Sequence, residues 1–209
     1  MIRLIAFDMD GTVLNDEKKI LKETKEALAT LKKVTEEAAE ALEQAARAGI
    51  EIVPATGRPF CGISDEIYRL DGVRYVLTTN GAGIYERDSK TCLYEDAIPL
   101  SAYLPMLAEV EAYDVMADTF LKGGALMTKR KRDLLPRMRL TKEIRDYILS
   151  SRQVVESQVD YLRERGEDVE KLTINFAYNE NGHRIDYDAV WEVLKKYPDV
   201  NAVSGGMKN

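Results

Sequence analysis

Histidine is nearly absent from this chain: there is one, His183, among 209 residues. That excludes a metal centre built from several imidazoles and a relay that needs two of them. His183 sits in "NENGHR" (179–184), whose Asn-Gly pair reads as a turn and gives it a surface role. Cysteine is scarce too. Cys61 and Cys92 share no spacing pattern, which excludes a disulfide framework and reads as reduced thiols in or near the core of a cytoplasmic protein. No apolar run approaches the ~20 residues of a membrane-spanning helix. The N-terminus leads directly into a strand followed by acids, so it is not read as a secretory leader, and no membrane partner is expected. Charge of one sign is also lacking: the net is -6, with acids and bases interspersed. The densest basic run, "KRKR" at 129–132, reads as a solvated turn, and nucleic acid is not expected as a partner.

What the chain does have is a repeated strand–helix texture. "IRLIAF" (2–7) is a short apolar run that ends in acids, as a buried parallel strand does. Residues 21–48 contain no Gly or Pro, and apolar or small residues at 28, 31, 38, 42 and 45 form a helical stripe that Gly49 ends. "TKEAL" (24–28) and "AAEAL" (38–42) echo one another two heptads apart within it. "IEIVPA" (50–55) is a second buried strand, 61–70 a second helix and "RYVLTTN" (74–80) a third strand. This β-α-β-α-β order predicts an α/β fold with a Rossmann-like, doubly wound parallel sheet, whose functional groups gather at the carboxyl ends of the strands.

After residue 82 the texture changes. A hairpin around "RDSK", a helix over 101–113, two strands about "KGG", helical segments in 141–165, a strand at 170–178, a helix at 186–197 and a last strand from 200 predict an α+β unit with an antiparallel sheet. The expected division is a core over 1–82 and a cap over 83–209.

All three strands of the first part end in polar residues: Asp8 and Asp10, Thr56 and Arg58, then Thr79 and Asn80. In an extended strand, Asp8 and Asp10 point the same way. Two carboxylates so close need a cation or a shared proton. Gly11 permits a sharp turn, and Thr12 adds a hydroxyl beside it. A carboxylate pair with a hard divalent ion suits phosphoryl transfer: one carboxylate attacks phosphorus, the other moves the proton.

"FDMDGTVL" (7–14) resembles the first motif of the haloacid dehalogenase-like phosphatases. "PATGRP" (54–59) resembles their second motif, and "TTNGAGIY" (78–85) is similar to the entry into the large cap of the Cof-type branch. The resemblance implies that Asp8 is the nucleophile and a Mg²⁺ ligand. It implies that Asp10 is the acid–base residue and offers its backbone carbonyl to the metal. Thr56 would hydrogen-bond the phosphoryl group with the Gly57 amide near it, and Thr12, Arg58 and Asn80 would lie on the substrate side.

The family's third-motif Lys and fourth-motif "GD" acids have no counterpart: no "GD" pair occurs anywhere in the sequence, and Lys208 is not in a third-motif context. The stretch between the first two motifs is longer than the family pattern. The chain therefore reads as a member cut before its last two motifs and lengthened in its first core helix. The expected activity is Mg²⁺-dependent hydrolysis of a small phosphorylated metabolite, a sugar phosphate or something nucleotide-like. The alternative is a non-catalytic scaffold that assembles with a second copy or with a complementing C-terminal fragment. In the phosphatase reading, cap residues Tyr103, Lys122, Lys129, Arg130 and Arg184 are candidates to touch an anionic substrate.

Overall fold

The computed structural model describes residues 2–9 and 36–204, which belong to two compact units, Met1–Asp96 and Ala97–Asn209. Asp10, Gly11, Thr12 and the first half of the long helical stretch lie outside the described residues.

In the first unit, β1 (Leu4–Asp8), β2 (Glu51–Ala55) and β3 (Tyr75–Thr78) are parallel and adjacent. Helix α1 (Glu36–Arg47) precedes β2, and a short helix α2 (Asp65–Arg69) precedes β3. Ala38, Leu42 and Ala45 of the expected stripe, with Ala39 and Ala46, pack on Phe7, Met9, Ile52, Ile67, Val73 and Val76. The stripe is thus one face of a helix lying on its own sheet. α1 stops as its glycine requires: Gly49, at φ +81, donates to the Ala46 carbonyl at 2.9 Å, and Ile50 to that of Ala45 at 3.1 Å. The expected helix over 61–70 is broken. Phe60–Gly62 form a 3₁₀ turn and α2 starts only after Ser64, consistent with Gly62 and Pro59 weakening a continuous helix.

The hairpin β4 (Gly83–Glu86) and β5 (Cys92–Glu95) corrects the domain boundary. β4 pairs antiparallel with β3 from Thr78↔Gly83 to Tyr75↔Glu86, giving one five-stranded sheet in the order β1-β2-β3-β4-β5. The first unit therefore runs to Asp96 rather than residue 82. "NGAG" is a tight reversal that returns the chain along β3, and a glycine-rich turn looks the same in sequence whether it joins units or strands. The architecture is a Rossmann-like α/β core extended by a hairpin. Among the described residues its strands follow one another across the sheet in chain order, the first three parallel and the last two antiparallel to their neighbours.

The second unit has its own sheet, in the order β8-β7-β6-β9. β6 (Val115–Leu121) and β7 (Gly124–Thr128) form the expected hairpin; Lys122 and Gly123, at φ +46 and +72, make its two-residue turn. β9 (Lys171–Phe176) pairs antiparallel with β6. β8 (Gln153–Val155), parallel to β7, lies between α5 (Lys142–Ser151) and α6 (Gln158–Arg165), where only helix was expected. Three residues are too few for a period-2 pattern to show. α3 (Leu100–Val110), α6 and α7 (Tyr187–Leu194) cover one face through Tyr103, Leu107, Leu162 and Val190. α5 covers part of the other through Ile148, against Met116 and Met127. Residues 201–204 form no strand, contrary to expectation.

"KRKR" is not a solvated turn. It is a single helical turn, α4 (Lys129–Arg132), and Lys131 in it is 1% exposed. Its Nζ donates to the carbonyls of Tyr113 (2.6 Å) and Glu111 (3.3 Å), so it caps the end of α3. Tyr103 is likewise no surface contact: it is fully buried and shares a 2.7 Å hydrogen bond with Thr119 Oγ1. Cys61, expected near the core, is exposed.

One close approach in the first unit yields a test. At Gly72 (φ +87) an added Cβ would lie 2.3 Å from Ala46 Cβ on α1. Gly72→Ala is expected to cost about 1–3 kcal/mol, from backbone strain and overpacking. Urea unfolding checks this; an unchanged midpoint would mean that α1 does not sit against this loop.

Candidate active site

The parallel register of β1, β2 and β3 brings their carboxyl ends to one edge of the first sheet. Asp8 pairs with Ala55, and Ala55 with Leu77. Along β1 the faces alternate: Phe7 and Met9 are buried in the core, and Asp8 between them is exposed. A carboxylate is thus held in solvent by two apolar anchors, at the place where an open α/β sheet puts its ligand groups.

Thr56 is one residue past the paired row, in the turn that leaves β2, and is 4% exposed. Its N–H still donates to the Leu77 carbonyl at 2.9 Å. Its hydroxyl oxygen accepts the Arg58 N–H at 3.2 Å, which leaves the hydroxyl proton available to donate. Two further bonds stitch this turn to the end of β3: Thr79 N–H donates to the Arg58 carbonyl at 2.9 Å, and Asn80 N–H to that of Thr56 at 3.1 Å. Gly57, at the crown of the turn, is exposed.

The end of β3 is strained. Thr79 and Asn80 have φ of +50 and +62, and Gly81 follows at +104. Asn tolerates the left-handed region; a β-branched Thr does so only when its surroundings impose it, at a cost of about 1–3 kcal/mol. Here the stitch to Arg58 imposes it. Thr79 was expected only as a polar end of the third strand: "TTNG" signals a turn through Asn-Gly, and nothing in it says that the threonine would carry the strain. Thr78 Oγ1 donates to the Gly83 carbonyl at 3.2 Å, closing the reversal behind the site.

Of the sequence-derived site residues, the structure brings Asp8, Thr56, Gly57, Arg58 and Asn80 to this edge. Asn80 is exposed there. Arg58 Nη1 donates to the Gly62 carbonyl at 3.3 Å, so its guanidinium pins the following 3₁₀ turn. A stacked pair, Phe60 and Tyr85 with ring centres 4.9 Å apart, supports that turn, and the Tyr68 hydroxyl donates to the Phe60 carbonyl at 3.0 Å. Burial pushes the Tyr68 phenol well above its ordinary range, so it stays protonated and keeps the proton it donates. Asp10 and Thr12 lie outside the described residues. Among the described residues no three His, Cys, Asp or Glu side chains cluster as a metal centre would require.

The family model described as haloacid dehalogenase-like hydrolase matches residues 5–196. The Bacillus subtilis (strain 168) protein YxeH is 40% identical over 85 residues, which is 39% of this chain and 26% of YxeH. The phosphatase YwpJ of the same strain is 28% identical over 134 residues, 64% of this chain and 42% of YwpJ. The chain thus spans less than half the length of these curated relatives. A solved haloacid dehalogenase-like hydrolase from B. subtilis superposes with a TM-score of 0.68 at 21% identity, over 97% of this chain and 70% of that one. At that identity the likeness shows the fold.

Proposed function

Since the chain belongs to the haloacid dehalogenase-like hydrolase family, we propose that its first unit carries the nucleophilic centre of a Mg²⁺-dependent phosphatase for small phosphorylated metabolites. The observation that carries this reading is Asp8, solvent-exposed at the carboxyl end of β1 and in register with the residue before Thr56. In the first step Asp8 attacks phosphorus. An aspartyl–phosphate bond forms, the ester P–O bond breaks, and Asp10 protonates the departing oxygen. In the second step Asp10 takes a proton from water, the water attacks the same phosphorus, and inorganic phosphate leaves with Asp8 regenerated. Thr56, its oxygen already accepting from Arg58, turns its proton toward a phosphoryl oxygen. The Asp8 carboxylate and the Asp10 carbonyl are oxygen donors of the type Mg²⁺ takes, and the ion would offset charge on the phosphoryl oxygens.

The test is hydrolysis of a generic aryl phosphate. Turnover is expected to require Mg²⁺ and to vanish in EDTA; hydrolysis undiminished by EDTA would rule the mechanism out.

A second reading, a non-catalytic assembly module, is favoured by Ile2 and Leu4, which are 70% and 54% exposed at and just before the start of β1. Apolar surface of this kind marks association sites. This reading predicts no turnover with any phosphate ester and a defined oligomer by light scattering; a strictly monomeric species counts against it.

A further inference from the structure

On the second unit, a groove of about 460 Å³ is lined by Arg132, Asp133, Leu135, Pro136, Arg145 and Leu149. One wall is α4 with the 3₁₀ turn Leu135–Arg137 that follows it, and the other is α5. Local caps fix both: Thr128 Oγ1 accepts the Lys131 N–H at 3.2 Å, and Thr141 Oγ1 the Ile144 N–H at 3.4 Å. Behind the groove, Leu134, Leu135, Met138, Ile144 and Ile148 belong to one packed cluster, which ties the walls together. The groove is therefore formed before anything enters it. It lies open along the surface, whereas a small-molecule site encloses most of its ligand.

Its lining sets apolar surface between two guanidinium groups. Leu149 is 50% exposed, although Ile144, Tyr147 and Ile148 of the same helix pack inward. It follows Arg145 by four residues, so both side chains share the helix face that lines the groove. The Arg145 guanidinium has no hydrogen bond or ion pair among the described residues. Arg132, on the opposite wall, pairs with Asp133 at 3.7 Å, a solvent-exposed contact that water screens. Nearby cations outside the groove are engaged more closely: Arg130 with Asp114 at 3.1 Å, and Lys142 with Asp146 at 2.6 Å.

We propose that this groove docks an acidic segment of a partner protein. One apolar side chain of the segment seats on Leu135, Pro136 and Leu149, and carboxylates on either side of it pair with Arg132 and Arg145. The planar fork of arginine takes a carboxylate through two parallel hydrogen bonds. An apolar anchor between two such pairs gives a small surface both affinity and orientation. Nucleic acid fits this lining less well, because Asp133 is part of it and the neighbouring cations already have carboxylate partners. The surface goes beyond the phosphatase reading and uses none of its residues.

The test is fluorescence anisotropy of the full chain at pH 7 with the labelled pentapeptide EELEE. Its counterparts are EEAEE, which lacks the anchor, and KKLKK, which reverses the charge. EELEE is expected to bind saturably below about 1 mM and about tenfold more tightly than EEAEE. Its binding is expected to weaken several-fold as salt rises from about 50 to about 300 mM, and KKLKK is expected not to bind. Arg145→Gln and Leu149→Ala are each expected to weaken EELEE about five- to tenfold in a protein with unchanged melting, since both side chains reach solvent. Lys195→Gln removes an exposed charge just past α7, on the other face of the sheet, and is expected to bind as the parent does. The proposal is overturned if EELEE does not bind, if EEAEE or KKLKK binds as well as EELEE, if Arg145→Gln or Leu149→Ala binds undiminished, or if Lys195→Gln weakens binding as much as Arg145→Gln. Light scattering on the same proteins distinguishes a partner from a second copy: a parent dimer that Leu149→Ala dissociates would make the groove a contact between copies of this chain and overturn the proposal.

Discussion

Asp8→Asn is expected to lower aryl phosphate turnover by at least about a thousandfold while leaving the melting temperature within about 2 °C of the parent. The exchange keeps shape and volume and removes the charge that attacks phosphorus. Asp8 is exposed and the core beneath it is made by Phe7 and Met9, so the fold has little reason to respond. Thr56→Val supplies the graded control. It removes a donor to the phosphoryl group and the acceptor of the Arg58 N–H, and a loss of about ten- to a hundredfold is expected, smaller than that at Asp8. Steady-state kinetics with circular dichroism on the same samples decide it. Full activity in the Asn variant would remove Asp8 as nucleophile.

The largest stability effect is expected at Arg152→Met. The Arg152 and Asp118 side chains are 5% and 1% exposed, and removing the guanidinium takes from a buried carboxylate the cation that hydrogen-bonds it, leaving the more distant attraction of Lys171. Such losses cost about 3–5 kcal/mol at neutral pH. The pH dependence has a definite sign. Desolvation raises the Asp118 carboxyl from 3.8 to about 6, against the opposing pull of Arg152. The folded state therefore binds this proton more tightly than the unfolded chain does. The stability from this group is fully present below the unfolded value and is lost as pH rises through about 6, a swing on the order of 3 kcal/mol. In Arg152→Met the carboxyl rises further, so the defect should shrink at pH 5 and widen at about pH 8. Denaturant melts at the two pH values, with Asp118→Asn as the variant lacking this titration, check it. A defect of under about 1 kcal/mol at both would show that the pair is not buried as described.

Much of the first unit was legible because its signals are local. The stripe 38, 42, 45 needs only helical periodicity, and Gly49 only the left-handed stop it provides, so both were found where expected. The turn at Lys122–Gly123 is similar: two residues with positive φ between apolar runs admit few alternatives. Errors arose where one local pattern serves two global arrangements. "NGAG" was read as an exit from the first unit, and the hairpin it begins instead zips onto β3. "KRKR" was read as solvated, yet Lys131 is drawn inward by carbonyls at the end of a helix some twenty residues earlier. β8 was invisible because a three-residue strand exists only through the neighbour it pairs with.

By itself, the sequence determined that a parallel strand ends in a carboxylate followed by a second one, and that threonine and asparagine end the next two strands, since these facts follow from residue types and periods of two and 3.6. Only the tertiary structure decided that Asp8 and the Thr56 turn share one edge, that Thr79 is held in a strained conformation by the Arg58 carbonyl, and that Asp118, Arg152 and Lys171 meet on one face of the second sheet. Those contacts join residues far apart in the chain. Their geometry is set by strand register and burial, which no local stretch encodes.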